Sequence, residues 1–144
     1  MKTISKRNKW TYSVGCLGRD MVFILVSMFI LPYIQYTMNL TVAQFTVVSG
    51  IMIFARVWDA INDPMMGMVI ENAKLKRGKF RPWILIGGVS NFIVTILLFT
   101  IRPSGWSFVL FFGVFYLFWG MTFTINDISY WSLLPNLSKD NDER

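Results

Sequence analysis

An all-α integral membrane chain with four transmembrane helices is the fold class this sequence predicts, on three observations. Of 144 residues, 54% are hydrophobic and only 15% charged, against about 25% charged in a soluble domain; mean hydropathy is +0.49. Four apolar segments consume most of the chain, each long enough for the roughly 20 residues that cross a bilayer. The basic residues gather in the polar stretches that flank those segments. A net charge of +6 could suggest a nucleic-acid partner, but the flanking charges have no fold around them, and that class is set aside. Cys16 is alone and there is no His, so an internal disulfide, a His-ligated zinc site and a His-based triad are all excluded. No enzyme chemistry is advertised.

The first helix is expected over about Thr11 to Met38. Lys2, Lys6, Arg7 and Lys9 precede it as in a signal peptide, but the apolar run is too long for a cleaved core and holds Arg19 and Asp20. These two are adjacent, about 100° apart on a helix, so they are expected not to pair squarely, and Asp20 needs a partner elsewhere. A short uncharged turn at Asn39-Leu-Thr41 leads to the second helix, about Val42 to Asn72. Pro64 within it removes one backbone N–H and frees the carbonyl of Ala60, which adds polar backbone beside the neighbouring acids. The loop 73–82 is rich in Lys and Arg and is expected to be cytoplasmic. The third helix, Trp83 to Ile101, has no charge and reads as a packing helix; the turn at Arg102-Pro-Ser-Gly105 precedes the fourth, Trp106 to Pro135, with Asp127 inside it.

The chemistry concentrates in Arg56-Val-Trp-Asp59-Ala-Ile-Asn62-Asp63-Pro64. A charge in hydrocarbon costs at least roughly 2.5 kcal/mol on insertion scales and persists where it pairs or lines a polar pathway. Arg56, Asp59 and Asp63 (i, i+3, i+7) form one stripe with Asn62 beside it. Two carboxylates one turn apart repel unless Arg56, a proton or a small cation lies between them. An ion pair of Arg56 with one Asp is the structural reading, and it leaves the second Asp unexplained. On the fourth helix Thr124, Asp127 and Trp131 (i, i+3, i+7) share a face. An aspartate beside an indole suits a sugar, since the carboxylate accepts from adjacent hydroxyls and the indole covers the apolar side of the ring. An interfacial anchor is the competing reading of Trp131.

Lys9 to Asp20 and Asp63 to Lys74 each span eleven residues, and Asp127 to Lys139 spans twelve. At about 1.5 Å per residue the three acids lie near the bilayer midplane, where secondary transporters place their sites.

Gly18-Arg19-Asp20, the stretch Arg56 to Pro64, the loop Arg77-Gly-Lys-Phe-Arg-Pro-Trp83, and Trp119-Gly-Met-Thr122 through Asp127-Ile-Ser-Tyr-Trp-Ser-Leu-Leu-Pro135 resemble the glycoside-pentoside-hexuronide cation symporters. These are the melibiose-carrier-like branch of the major facilitator superfamily. The resemblance covers nearly the whole chain, and it implies the first part of the N-terminal six-helix half of that fold. It implies a coupling cation (Na⁺, H⁺ or Li⁺) on Asp59, Asn62, Asp63 and Thr124, and a sugar or glycoside on Asp20 and Asp127, with Trp131 and Arg19 nearby. Family members have two six-helix halves, so the C-terminal helices needed for transport are expected to be missing from these 144 residues. A non-transporting remnant or a structural or regulatory membrane subunit is the alternative. A four-helix dimeric multidrug exporter fits less well, because it depends on one membrane carboxylate and a weak charge bias.

Eleven of the fourteen Lys and Arg residues lie in the N-terminus, the loop 73–82 and the C-terminus, and only Arg102 lies in the other two loops. Both termini are therefore expected in the cytoplasm. A reporter that works only outside the membrane, fused after Arg144, should be silent; activity there would refute the orientation.

Overall fold

The computed structural model describes residues 6–73 and 80–137, with the side chains of 7–73 and 80–133. It contains four helices: α1 Lys6–Thr37, α2 Val42–Asn72, α3 Arg81–Thr100 and α4 Trp106–Leu137. All four are long and apolar enough to cross a membrane, as the composition predicts. α1 begins five residues before the expected Thr11, because its basic first turn stays helical instead of forming a separate flank. Lys74 and Lys139, from which the depths of Asp63 and Asp127 were counted, lie outside the described residues, as do most of the basic residues that set the expected orientation.

Local chemistry explains where the helices start. Thr41 caps α2: its hydroxyl accepts from Gln44 N, and Gln44 Oε1 accepts from Thr41 N at 3.0 Å, a reciprocal capping box. Pro82 sits in the first turn of α3, where a missing N–H costs nothing. The turn into α4 needs Gly105, whose φ is +63°; there an L side chain crowds the following carbonyl.

α2 and α3 both pack closely on α4, whereas α1 meets the bundle mainly through side chains. α4 is the most enclosed helix. Its rings make a ribbon, Phe108 to Phe112 to Tyr116 to Trp119 to Phe123, with successive centroids 6.0, 5.1, 5.6 and 6.0 Å apart. Val26, Ile30 and Ile34 of α1, four residues apart and so on one face, are fully buried in the same core as Val48, Ala55 and Leu98. Tyr33 donates to the Phe99 carbonyl at 2.7 Å and lies under Arg102 at 5.3 Å, which ties the end of α1 to that of α3. Large side chains such as Met28, Ile53, Leu85 and Leu110 stay exposed, and the lipid tails of a bilayer are as apolar as they are. Packing and polar contacts, rather than the hydrophobic effect, therefore hold these helices together.

Gly105→Ala should lower stability by about 1 kcal/mol through its positive φ. Alanine at Gly50, where an added Cβ meets nothing within 4 Å, should be neutral or stabilising. Thermal unfolding of the two variants in detergent checks the contrast, and equal midpoints would refute it.

Candidate functional site

A polar cavity of about 320 Å³ opens beside the α2–α4 contact. Arg56, Asp59 and Asp63 of α2 line it, with Gly120, Thr124 and Asp127 of α4 and the rings of Phe23 and Trp119. The i, i+3, i+7 stripe of α2 thus shares a cavity with Thr124 and Asp127, the first two members of the α4 stripe. Thr124 donates its hydroxyl to Asp63 Oδ1 at 2.9 Å. Asp59 lies close against the α4 backbone: a Cβ at Gly120 would stand 3.0 Å from its Oδ1, so a larger residue there would push the carboxylate aside by a few tenths of an ångström. Ala60, whose carbonyl Pro64 is expected to free, also lines the cavity.

Arg56 compensates little of this charge. Its Nη1 is 3.9 Å from Asp59 Oδ2 and its side chain is 51% exposed, at the outer limit of an ion pair and on the solvated side, where such pairs are weak. Three carboxylates therefore share the cavity with one loosely held guanidinium. Among the described residues no three Cys, Asp or Glu side chains converge as metal ligands. Asp59, Asp63 and the Thr124 hydroxyl form a set of hard oxygens carrying two charges.

Asp127 also belongs to a second cluster. Arg19, whose side chain is only 11% exposed, reaches from α1 and places Nη1 2.6 Å from Asp127 Oδ1. This is a charge contact off the hydrogen-bonding line, since Nη1 has no hydrogen-bond partner. Trp131 donates its indole N–H to the same oxygen at 3.1 Å. Arg19 also lies over the Tyr130, Phe123 and Trp131 rings at 5.0, 5.8 and 5.8 Å. Just below, Tyr12 and Tyr130 stack at 4.3 Å and each donates its hydroxyl to the other's carbonyl.

The expectation that Arg19 and Asp20 do not pair is corrected here. Arg19 donates from Nε and Nη2 to Asp20 Oδ1 at 3.0 and 2.8 Å. The 100° between the two Cβ directions is spanned because the long guanidinium stem folds back, so one arginine bridges Asp20 and Asp127. Asp20 itself is 50% exposed and does not line the cavity, and neither do Arg19 and Trp131. Asn62, expected beside the stripe, does not reach the cavity either. It is buried outside the cavity lining, and its Nδ2 has no partner among the described residues.

Trp119 and Gly120 belong to the stretch that carries the resemblance but have no expected site role, and Phe23 has no signal in the sequence beyond its apolar character. Gly120 was legible: it precedes Thr124 by four residues, so the α4 stripe extended one turn back reaches it. A larger hollow of about 750 Å³ lies between α1 and α3, but its walls are overwhelmingly apolar, and the carboxylates gather in the smaller cavity.

Residues 11–144 match the family described as MFS/sugar transport protein. The lactose permease of Lactobacillus helveticus is 31% identical over 93% of this chain, and the raffinose carrier protein of Pediococcus pentosaceus 28% over 92%. An uncharacterized symporter of Bacillus subtilis strain 168 is 29% identical over 99% of it. The chain spans 23%, 22% and 31% of the lengths of those three proteins. Four spanning helices and a match over nearly the whole sequence make this a multi-pass membrane protein, and the chain belongs to the MFS/sugar transport protein family, in the melibiose-carrier-like branch of the major facilitator superfamily.

Proposed function

We propose that these residues form part of a secondary transporter that moves a glycoside or oligosaccharide together with a monovalent cation, with both termini in the cytoplasm. The observation that carries this reading is that Asp59, Asp63, Thr124 and Asp127 line one cavity between α2 and α4. The printed descriptions of the relatives, permease, carrier and symporter, support it at the level of class.

In this reading the cation, Na⁺, H⁺ or Li⁺, binds Asp59, Asp63 and the Thr124 hydroxyl, with Asn62 next to them on α2 as the fourth member that the family resemblance implies. Repulsion between the two carboxylates then disappears. The sugar engages Asp127 and Asp20 through its hydroxyls, while the Trp131 ring covers its apolar face. To do so it competes with Arg19, which holds both carboxylates. Moving Arg19 toward the sugar leaves Asp127 less compensated, and a cation in the same cavity offsets that loss. Each ligand thereby raises the affinity for the other by the same factor. The remaining helices, supplied by the rest of a full-length transporter, enclose the sugar and complete transport.

The test replaces the matching segment of the Lactobacillus helveticus lactose permease with residues 1–144 and measures sugar binding with and without Na⁺ or Li⁺. Asp59→Cys or Asp63→Cys should abolish cation stimulation and leave basal sugar binding. Asp20→Asn or Asp127→Asn should weaken sugar binding by about 1.5–3 kcal/mol, the worth of a hydrogen bond to a charged acceptor, while cation binding survives. Full stimulation in the cysteine variants, or unchanged sugar affinity in both asparagine variants, refutes the assignments. A chimaera that inserts and folds yet binds no sugar favours the non-transporting remnant.

A further inference from the structure

α3 and α4 exchange a pair of asparagine bonds. Asn126 of α4 donates through Nδ2 to the Ile84 carbonyl of α3 at 2.8 Å. Asn91 of α3 donates through Nδ2 to the Trp119 carbonyl of α4 at 3.1 Å and to Thr122 Oγ1 at 3.2 Å. Ile84 and Asn91 are seven residues apart, and so are Trp119 and Asn126. In an antiparallel pair this spacing makes the two bonds a reciprocal clamp two turns long. Both asparagines are more than nine-tenths buried, and each uses a carbonyl whose second lone pair is spare.

Gly87 lies between the two bonds. A Cβ there would stand 2.8 Å from Asn126 N and 3.1 Å from its Cα, so the two backbones are in contact. Close backbone approach over a small residue, with polar bonds on either side, sets both separation and rotation of membrane helices. The clamp side of α4 carries Thr122 and Asn126 (i, i+4), while the cavity side carries Gly120, Thr124 and Asp127 (i, i+4, i+7). At a side-chain radius of about 5–6 Å, each 10° of rotation moves a group by about 1 Å. The 2.9 Å contact between Thr124 and Asp63 tolerates only a few tenths of that.

We propose that the Asn91–Asn126 clamp over Gly87 is the positioning device that fixes the rotation of α4 and so holds Thr124 and Asp127 in the cavity. Its part in transport rests on the reading of the cavity given above. Asn91, Asn126 and Gly87 touch neither proposed ligand; they act through Thr124 and Asp127.

Cysteine cross-linking reads the rotation directly, in membranes containing the 144-residue chain with Cys16→Ser. The pair Asp63→Cys with Thr124→Cys reports the cavity, and Ile51→Cys with Gly113→Cys reports the α2–α4 contact away from the clamp, where a Cβ at Gly113 would already be 3.2 Å from Ile51. Asn126→Ala should slow oxidation of the cavity pair by about tenfold, the factor for a lost buried hydrogen bond of ordinary strength, and change the distant pair by less than about twofold. Gly87→Ala, which pushes on the Asn126 backbone instead of deleting its amide, should act in the same way. Unchanged cavity cross-linking overturns the proposal, and so does an equal loss at both pairs, which would make the clamp a general stability contact. No cross-linking of the cavity pair in the clamp-intact chain also overturns it. In the lactose permease chimaera, Asn126→Ala should raise the Na⁺ concentration for half-maximal stimulation by a similar factor. If cross-linking shifts as expected but the clamp-intact chimaera binds no sugar, the clamp stands and the transport reading falls.

Discussion

Arg19 is the charge on which the arrangement of α1 depends. Placing carboxylates at membrane depth is costly unless each finds a partner, and this guanidinium serves Asp20 on its own helix and Asp127 on α4. α1 has little close backbone contact with its neighbours, so the ion pair, the Tyr12–Tyr130 exchange and the contacts of Phe23 fix its place near the cavity. Removing a single partner from such a cluster leaves an uncompensated charge, which costs more than the pair itself contributes. The rings of Tyr130, Phe123 and Trp131 around the guanidinium limit its movement and offer their negative faces to it.

The aromatic residues also separate two environments. Phe23 stacks on Phe123 at 4.5 Å and on Trp119 at 5.7 Å, and Phe123 borders both the polar cavity and the apolar hollow between α1 and α3. Apolar ring faces along one side of a cavity lower the local dielectric there and strengthen the charge interactions next to them. A cavity with three carboxylates and one loosely held arginine is therefore more responsive to an added cation than the same residues in water.

α4 meets three different neighbours. Its 119–131 stretch gives Thr122 and Asn126 to α3, Gly120, Thr124 and Asp127 to the cavity shared with α2, and Phe123 and Tyr130 to α1. Such a helix has no lipid-facing polar stripe to betray it. It is more enclosed than the other three helices, while Leu110, Val114 and Phe118 keep an apolar face exposed.

Composition and segment length by themselves determined four membrane-crossing helices, because only helices satisfy their own backbone in hydrocarbon and about 20 apolar residues suffice to cross it. Helical periodicity alone put Asp59 and Asp63 on one face and Thr124 and Asp127 on another, and the structure brings those two faces to one cavity. Periodicity within one helix carries no information about rotation against a neighbour. Tertiary packing alone therefore decided that Asn62 is buried outside the cavity lining, that Gly120 admits the Asp59 carboxylate, and that Asn126 ends on the Ile84 carbonyl. The Arg19–Asp20 pair forms against the angular expectation for a related reason. The angle between two Cβ directions does not limit where a long flexible side chain ends, and only the surrounding rings and Asp127 determine that.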